Sequence, residues 1–355
     1  MSDPKVAPEA GRRSRRPLWV FGGLVALLVV GALASLAFGA VSIPPLAVIG
    51  VLLDHAGFHT SIDFTTQQDA VMWGIRLPRI VLGGLVGAGL GVAGASYQAV
   101  FRNPLADPQL IGVSSGAALG SALTILLLGG VMGALAGPLG GLAGGLAAGA
   151  LVYTLARHGG RTEVVTLILA GIAIAAVGTA GAGFISLVAD EPRLKSELFW
   201  VLGSLTFSTW RLVWFTFPFV VVAAIALPIY GRAMNVSLLG DSEARSLGID
   251  VERFRIAVLA LATMAVGASV AAAGVIGFVG LLVPHGIRLV AGPDNRLVVP
   301  GSAIGGAALV ILVDLAARTV ASPTEIPVGL LTAVLGGPVF VWLIGRTRRE
   351  HGGWG

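Results

Sequence analysis

The side chains best able to perform chemistry in this sequence are few and widely spaced. His55 and His59 stand four residues apart, a spacing that would place two imidazoles on one helix face, within reach of a metal ion. No third ligand or carboxylate follows at a fitting spacing, so ordinary polar loop residues are the better interpretation. The sequence contains no cysteine, which excludes disulfides and thiolate metal sites. We therefore expect no metal site.

Motifs for energy conversion are also missing. No G-x-x-x-x-G-K-[ST] motif occurs, so the chain has no P-loop for a nucleotide. An ion-driven carrier normally holds ionisable groups in mid-membrane, and the apolar runs offer almost none. Asp314 and Arg318 stand four residues apart near the end of one run, where a local ion pair is the simplest interpretation. The sequence predicts a chain that is not an enzyme and binds no cofactor, with ATP and Mg²⁺ held on partner subunits if it is a pump.

The elements that position these residues are set by an apolar composition. Of 355 residues, 55% are hydrophobic and 12% are charged, and the mean hydropathy is +0.90. Soluble domains carry about 25% charged residues, so a bilayer is the solvent that fits this chain. The net charge of +5 comes largely from the flanks of apolar runs. No basic stripe with interleaved aromatics is present, which argues against a nucleic-acid partner.

Ten apolar runs are long enough to be candidate spans. The first, from Leu18 to about Ala40, follows a basic tail and is too long for the apolar region of a signal peptide. Only Gly129 and Gly130 separate the third and fourth runs, and the eighth is short enough to be a half-spanning helix. The predicted spans are 18–40, 78–100, 111–128, 131–156, 164–188, 210–230, 254–274, 275–291, 297–317 and 327–345. They form one polytopic domain over residues 18–346, between tails 1–17 and 347–355.

Lysine and arginine predict the orientation of these spans. With the amino terminus inside, 17 of the 23 Lys and Arg residues lie on the inner side, and the loop from Asp54 to Gln68 holds none. The asymmetry predicts a multi-pass membrane protein with both tails on the inner, cytoplasmic side. The six cations that remain outside are Arg76, Arg79, Arg193, Lys195, Arg211 and Arg318.

A weak internal repeat accompanies this pattern. When the sequence is shifted by 180 residues, four pairs of helix-breaking residues coincide: Gly87 with Gly267, Gly94 with Gly274, Pro104 with Pro284 and Gly112 with Gly292. The two copies would cross the membrane in opposite directions, as in the inverted repeats of many transporters, although chance matches between glycine-rich helices are an alternative. Two further sets of glycines recur every fourth residue and predict close helix packing: Gly83, Gly87, Gly91, and Gly137, Gly141, Gly145, Gly149.

The stretch "GDSEARSLGID", residues 240–250, interrupts the apolar sequence with charge. Asp241 is suited to cap a short helix, with Glu243 in its first turn, and Gly248 is suited to a left-handed position that ends it. The preceding "AMNVSLL" can form another short helix that turns at Gly240. We expect a charged pair of helices on the cytoplasmic face, shaped for docking, rather than a merely solvated loop.

Four stretches together resemble the permease subunits of bacterial ABC importers for iron chelates and cobalamin. They are "RLPRIVLGGLVGAGLGVAGASYQAVFRNPLADPQLIGVSSGAALG", "GDSEARSLGID", "GVIGFVGLLVPHGIRLVAG" and "EIPVGLLTAVLGGPVFVWLI". The resemblance covers nearly all of the chain beyond about residue 70, in the same order. It implies an all-α, multi-pass protein of the bacterial inner (plasma) membrane with about ten transmembrane helices and the type II importer permease fold.

The resemblance also implies partners and their contact residues. Members of this family work as homodimers in membrane lipid, above two cytoplasmic P-loop ATPase subunits and below a periplasmic substrate-binding protein. Outward arginines that match the family's docking positions are Arg76, Arg79 and Arg318. The ATPase contact lies at about residues 235–250, and its residues are Leu239, Gly240, Asp241, Glu243, Ala244, Arg245, Leu247 and Gly248.

The transported solute is the least determined part of the prediction. In this family the fifth span and its inner flank contribute to the path, which makes Thr162 and Glu163 gate candidates. Arg193 and Lys195, in "VADEPRLKSELFWVLGSL", could meet haem propionates at the outer mouth, or simply belong to a solvated helix. This segment resembles haem permeases more than cobalamin permeases, with ferric siderophores a close second. An ion-gradient carrier and a structural membrane subunit are the alternatives from other classes.

Overall fold

A computed structural model describes residues 16–39, 43–58, 61–158, 161–188, 202–322 and 324–350 of the chain. All ten predicted spans contain a helix, and the fold is almost entirely helical. Within these residues, three further α-helices connect the spans. The helices are α1 Arg16–Ala37, α2 Pro45–His55, α3 Thr66–Val100, α4 Val113–Met132, α5 Ala136–Ala156, α6 Val164–Val188, α7 Trp210–Ile229, α8 Gly231–Ser237, α9 Asp241–Ser246, α10 Val251–Ala273, α11 Val279–Ala291, α12 Asn295–Thr319 and α13 Val328–Glu350.

Length and composition divide these helices into long and short members. Seven helical stretches among the described residues are long and apolar enough to cross a membrane, and one of them, Val113–Ala156, holds both α4 and α5. The break between α4 and α5 is a single 3₁₀ turn at Gly133–Leu135, where Gly133 has φ 55°. The weak boundary in the sequence is therefore real, and it folds as a tight antiparallel hairpin. Shorter apolar helices include α11, as predicted, and Val328–Trp342 of α13.

Several local features differ from the predicted spans. The second span begins twelve residues earlier than expected because Thr65 caps α3 with a capping box to Gln68. A π-helical turn at Met72–Arg76 then changes the direction of the side chains within α3. Two antiparallel strands of two residues each, β1 Arg157–His158 and β2 Arg161–Thr162, lie between α5 and α6 and were not predicted. We call this pair the hairpin.

Close backbone contacts between helices hold the bundle together. A Cβ atom added at Gly87 would lie 2.1 Å from the carbonyl oxygen of Gly306, and one at Gly91 would lie 2.1 Å from that of Ser302. Side chains are therefore excluded where α3 crosses α12. The two backbones can therefore approach closely, and the dense contact between them supplies the dispersion energy that holds helices together in lipid. The predicted packing role of this glycine set is confirmed.

The glycine set of α5 packs against two helices, α10 and α4. A Cβ at Gly145 would lie 3.3 Å from Cα of Gly267, and one at Gly149 would lie 2.6 Å from the side chain of Thr263, so these positions face α10. Gly137 instead faces Ser121 of α4. The set packs as predicted, and it packs α5 mainly against α10.

The two copies of the internal repeat make equivalent helix contacts, but only some of their aligned residues occupy equivalent positions. Helix α3 crosses α12 at Gly87, and α10 crosses α5 at Gly267, so this aligned pair occupies equivalent contacts in the two halves. Gly94, however, lies inside α3, whereas Gly274 ends α10 at φ 71°. The residue-by-residue alignment is therefore wrong at that pair, because two helices of different length follow the same packing scheme.

Candidate functional site

Polar side chains gather at the two ends of the bundle. Helix α3 connects these ends: Arg76 and Arg79 lie in its first half, and Arg102 lies two residues beyond its end at Val100. The 24 residues of Leu77–Val100 span about 36 Å at 1.5 Å per residue, which is the thickness of a bilayer core with its borders. We call the end that holds α8 and α9 the knob end, and the other the arginine end.

The knob is the pair of short helices α8 and α9. Gly240 turns the chain between them at φ 134°, and Gly248 ends α9 at φ 82°, where backbone bonds from Gly248 and Ile249 return to Arg245 and Ala244. Both glycine assignments from the sequence are confirmed. The expected cap is wrong: Gly240 precedes α9, and Asp241 is its first residue with no side-chain bond to the helix backbone.

Asp241 instead forms ion pairs that attach the knob to the bundle. Its carboxylate accepts from Arg102, which follows α3, and from Arg255 of α10 at 2.9 Å. Hydrogen bonds between a carboxylate and a guanidinium are among the strong ones in proteins, and the carboxylate is engaged by two of them instead of capping the helix. Arg245 adds a weaker contact at 3.9 Å.

A second attachment lies on the other side of the knob. Asn235 of α8 donates to Asp294 Oδ1 at 2.6 Å and accepts from the backbone nitrogen of Asn295 at 2.8 Å. Asp294 caps α12 and is paired with Arg296 at 2.7 Å. Hydrogen bonds from Arg296 hold the pKa of Asp294 at about 2, against the opposing effect of partial burial, and Asn235 adds to the lowering. The knob is thus fixed to the starts of both α10 and α12.

The outer surface of the knob is apolar. Leu239 and Leu247 are 67% and 65% exposed, and Leu238 is 45% exposed, while Ala244 is buried against the bundle. Glu243 and Arg245 are exposed beside them. Three exposed leucines on a charged, protruding element that lies beyond the apolar helices are typical of a protein-docking surface.

At the arginine end, the guanidinium groups are bound within the chain. Arg79 Nε lies 3.0 Å from both carboxylate oxygens of Asp314, and its Nη1 lies 3.0 Å from Glu325 Oε2. Glu325 also accepts from the hydroxyl of Thr206 at 2.8 Å. The side chains of Arg79 and Asp314 are 7% and 3% exposed, and Glu325 is 38% exposed. The simple local pair expected between Asp314 and Arg318 is only a secondary contact, at 3.7 Å.

The other two predicted docking arginines lie in the same cluster. Arg76 donates to the carbonyl oxygens of Leu36 and Ala37, and Arg318 donates to Ser35 at the end of α1. The sequence correctly groups Arg76, Arg79 and Arg318 at one end, since all three converge there. Each is nevertheless buried or nearly so, which the sequence did not indicate.

The gate candidates have different surroundings. Thr162 is buried, and its hydroxyl donates to Glu252 Oε1 at 2.5 Å. Glu163 is exposed at the start of α6, where it accepts from Thr166 at 3.0 Å. Their role at a gate stays a prediction, although the Thr162 side chain already has a partner. Arg193 and Lys195 lie outside the described residues.

His55 contacts an acid and a tryptophan. His55 Nε2 lies 2.7 Å from Asp69 Oδ1, and its ring stacks on Trp73 with centroids 4.0 Å apart. His59 lies outside the described residues. Within the part of the chain that the structure describes, no group of three or more His, Asp or Glu side chains could hold a metal ion.

Sequence reasoning missed three residues that organise these clusters. Glu252 and Arg255 are charged residues in the first turns of α10, and Glu325 precedes α13 in an otherwise apolar stretch. A charge at the border of an apolar run was the only available signal. It could not identify the partners: Asp241 lies 14 residues from Arg255, and Thr162 and Arg79 lie 90 or more residues from the residues that they bind.

Ten largely apolar helices among the described residues, with the pair α8 and α9 at one end, define a polytopic membrane protein. A solved structure, described as an inward-facing conformation of a metal-chelate type ABC transporter, matches it with a TM-score of 0.81 and 31% identity. The match covers 93% of this chain and 99% of that chain. The fold is therefore that of a type II ABC importer permease, as the sequence resemblance predicted.

The sequence matches the FecCD transport family over residues 27–346, and the chain belongs to that family. It is 39% identical over 345 residues to a hemin transport system permease protein of Yersinia pestis, covering 95% of this chain and 98% of that protein. A cobalamin import system permease protein of Halobacterium salinarum is 44% identical over 270 residues, covering 76% and 72%. An iron(3+)-hydroxamate import system permease protein of Bacillus subtilis is 36% identical over 338 residues, covering 94% and 98%.

The arginine cluster yields a prediction about stability. Arg79→Gln leaves Asp314 buried with a distant cation as its remaining partner, so we expect a loss of about 3–5 kcal/mol of unfolding free energy. Thermal unfolding in detergent micelles measures this loss. The double variant Arg79→Gln/Asp314→Asn removes both charges and should recover much of it.

Arg211→Gln is the matched control, because Arg211 is exposed near the start of α7. It should unfold like the parent protein. Equal stability of Arg79→Gln and Arg211→Gln would show that the buried pair does not hold this end of the bundle.

Proposed function

We propose that this chain is the permease subunit of an ATP-driven importer that moves an iron chelate, with haemin the first choice, into the bacterial cytoplasm. Two copies form the path between them, two P-loop ATPase subunits bind at the knob end, and a periplasmic binding protein delivers the solute at the arginine end. Both chain termini lie in the cytoplasm. The observation that carries the proposal is the knob: an exposed leucine surface on a helix pair that buried and half-buried ion pairs fix to the bundle.

Electrostatics favours this class over an ion-gradient carrier. Asp314 is the buried acid of the described spanning helices, and it is bound by Arg79 at the border of the apolar region. An acid that is already bound by a permanently charged guanidinium is poorly suited to carry a proton, because releasing the pair would leave a buried cation without its partner. The mechanism that remains is alternating access driven by the movement of partner subunits.

Haemin is preferred among the solutes because likeness to the hemin permease extends over almost the full length of both chains. The likeness to the hydroxamate permease is as long but lower in identity, and the likeness to the cobalamin permease is higher over a shorter stretch. The order is therefore haemin, then ferric siderophore, then cobalamin, as in the sequence interpretation.

The direct test is uptake into proteoliposomes that contain the permease with its ATPase subunits. Binding protein loaded with haemin, ferric hydroxamate or cobalamin is added outside, and ATP is enclosed with the ATPase sites. We expect ATP-dependent uptake of haemin above that of the other two solutes. Uptake of cobalamin alone would overturn the choice of solute, and uptake without ATPase subunits, driven by an ion gradient, would overturn the class.

Docking of the ATPase at the knob gives a second prediction. A carboxylate in an apolar contact must be desolvated without a partner, so Leu247→Asp or Leu239→Asp should weaken ATPase association by at least about tenfold, or about 1.4 kcal/mol. Co-purification and ATP-dependent uptake measure the loss. These point changes are preferable to removing residues 241–248, because that deletion would also break the pairs of Asp241 with Arg102 and Arg255.

The control is Arg253→Gln. Its side chain is 88% exposed beside the knob, and the substitution changes the net charge by the same amount as Leu→Asp. Association should stay within about twofold of the parent protein, as for surface charges away from an interface. If Leu247→Asp and Arg253→Gln behave alike, the leucine surface does not bind the ATPase.

The arginine end is proposed to dock the binding protein through acidic residues on its two lobes. Three arginines face two carboxylates in the cluster, Asp314 and Glu325, which leaves one excess positive charge among the five groups. Reversing all three arginines would confuse docking with stability. Arg318→Glu is the sharper change, since Arg318 is bound mainly to Ser35 and lies farther from Asp314 than Arg79 does.

We expect Arg318→Glu to lower the affinity for the binding protein by about tenfold, more at low salt than at high salt. Surface plasmon resonance with the permease in nanodiscs measures it. Arg211→Glu, an exposed charge reversal at the same end, is the control. Unchanged affinity of Arg318→Glu, with unfolding like that of the parent, would remove Arg318 from the docking site.

A further inference from the structure

The knob and the hairpin between α5 and α6 are both bound by one turn of α10. Arg255 and Glu252 lie three residues apart, which places them on the same side of that helix. Arg255 binds Asp241 of the knob, and both residues bind Thr162 of the hairpin. Neither Arg255 nor Glu252 belongs to the knob surface or to the predicted gate.

The first link is the contact between α10 and the knob. Arg255 Nη2 lies 2.9 Å from Asp241 Oδ1, and the arginine side chain is only 7% exposed. A charge-assisted hydrogen bond with a buried guanidinium is short, directional and costly to break, because breaking it leaves the cation without its partner. A displacement of α9 is therefore transmitted to the first turn of α10.

The second link is the contact between α10 and the hairpin. Arg255 Nη1 donates to the carbonyl oxygen of Thr162 at 3.2 Å, so the same guanidinium binds both elements. Glu252 accepts from the backbone nitrogen of Thr162 at 3.3 Å, from its hydroxyl at 2.5 Å, and from the hydroxyl of Tyr153 at 2.6 Å. Four hydrogen bonds thus fix β2 and the end of α5 to the first turn of α10.

From this geometry we propose that Arg255 and Glu252 are positioning residues that make the hairpin and the adjoining ends of α5 and α6 move with the knob. The proposal rests on the proposed function, in which the ATPase subunits move the knob. The knob is covalently joined only to α7 and α10. The proposal adds the route by which its motion would reach α5 and α6.

This linkage is not needed to keep the knob in place. Asp241 has a second partner in Arg102, and Asn235 holds α8 to the start of α12. Loss of the Arg255 contacts should therefore leave a folded chain with a bound ATPase, and change only how far the motion extends. Variants at Arg255 can therefore change the transmission of motion while the chain stays folded and the ATPase stays bound.

The first experiment compares Arg255→Gln and Glu252→Ala with Arg253→Gln, the exposed control, in the complex with the ATPase subunits. The ratio of solute taken up to ATP hydrolysed should fall by about tenfold in the first two variants, with hydrolysis itself within about twofold of the parent. An unchanged ratio in both variants, with the complex intact, would overturn the proposal. Loss of ATP-dependent uptake in the parent complex would instead overturn the proposed function.

The second experiment reports on the hairpin directly. The sequence has no cysteine, so Arg157→Cys, at an exposed position of β1, introduces a single site for an environment-sensitive fluorophore. ATP should change its emission in the parent and in Arg253→Gln, and the change should be lost in Arg255→Gln. Persistence of the change in Arg255→Gln would overturn the proposal.

If Arg255→Gln fails to fold, a more conservative variant tests the same contacts. Arg255→Lys keeps the positive charge and so protects the stability of this region, but a single ammonium group on a flexible stem does not reproduce the planar contact with both Asp241 and Thr162. It should show the same loss of the fluorescence change, with a thermal unfolding midpoint close to that of the parent. A normal fluorescence change in a stable Arg255→Lys would overturn the proposal.

Discussion

The close crossing of α3 with α12 and α11 is the constraint on which the rest of the structure depends. At Gly87, Gly91 and Gly94 an added Cβ would lie within 2.1 Å of a carbonyl oxygen of the facing chain, so backbone meets backbone in the centre of the molecule. In lipid, where burial of apolar groups gives little driving force between helices, this dense contact supplies the association energy. It also fixes where both ends of α3 lie, and therefore where Arg79 and Arg102 place their charges.

The charged clusters follow from that placement. A guanidinium at the border of the bilayer is satisfied either by water and headgroups or by carboxylates of neighbouring segments. At the arginine end, Asp314 and Glu325 bind Arg79 and join α3 to α12 and to the segment before α13. At the knob end, Asp241 binds Arg102 and joins α3 to the knob. One helix thus carries an ion pair at each border, and the apolar length between them matches the bilayer.

The sequence predicted the parts of this architecture that depend on local pattern. Apolar length predicted ten segments that each contain a helix, four-residue glycine spacing predicted the packing faces, and Gly240 and Gly248 predicted the turns of the knob. The prediction from sequence failed where a side chain can bind either a local partner or one that is distant in the sequence. Asp241 was expected to cap a helix and binds two arginines instead, and nothing in the sequence indicated that the three predicted docking arginines are buried. Distant partners such as Glu325 for Arg79, 246 residues away, leave no periodic signal in a single sequence.

The arrangement of attachments at the knob end bears on how force enters such a molecule. A docking element held by one flexible segment would dissipate the motion of a bound partner, since the segment would bend before the helices moved. Here the knob is bound to α3 through Arg102, to α10 through Arg255 and to α12 through Asp294. Helices α3 and α12 are themselves in backbone contact and resist separate movement. Helix α5 packs along α10 through Gly141, Gly145 and Gly149, and its end is hydrogen-bonded to the first turns of α10 together with the hairpin that leads to α6. The ends of α5 and α6 beside the knob are therefore bound to the same unit, and a displacement of the knob cannot leave them behind without breaking these contacts.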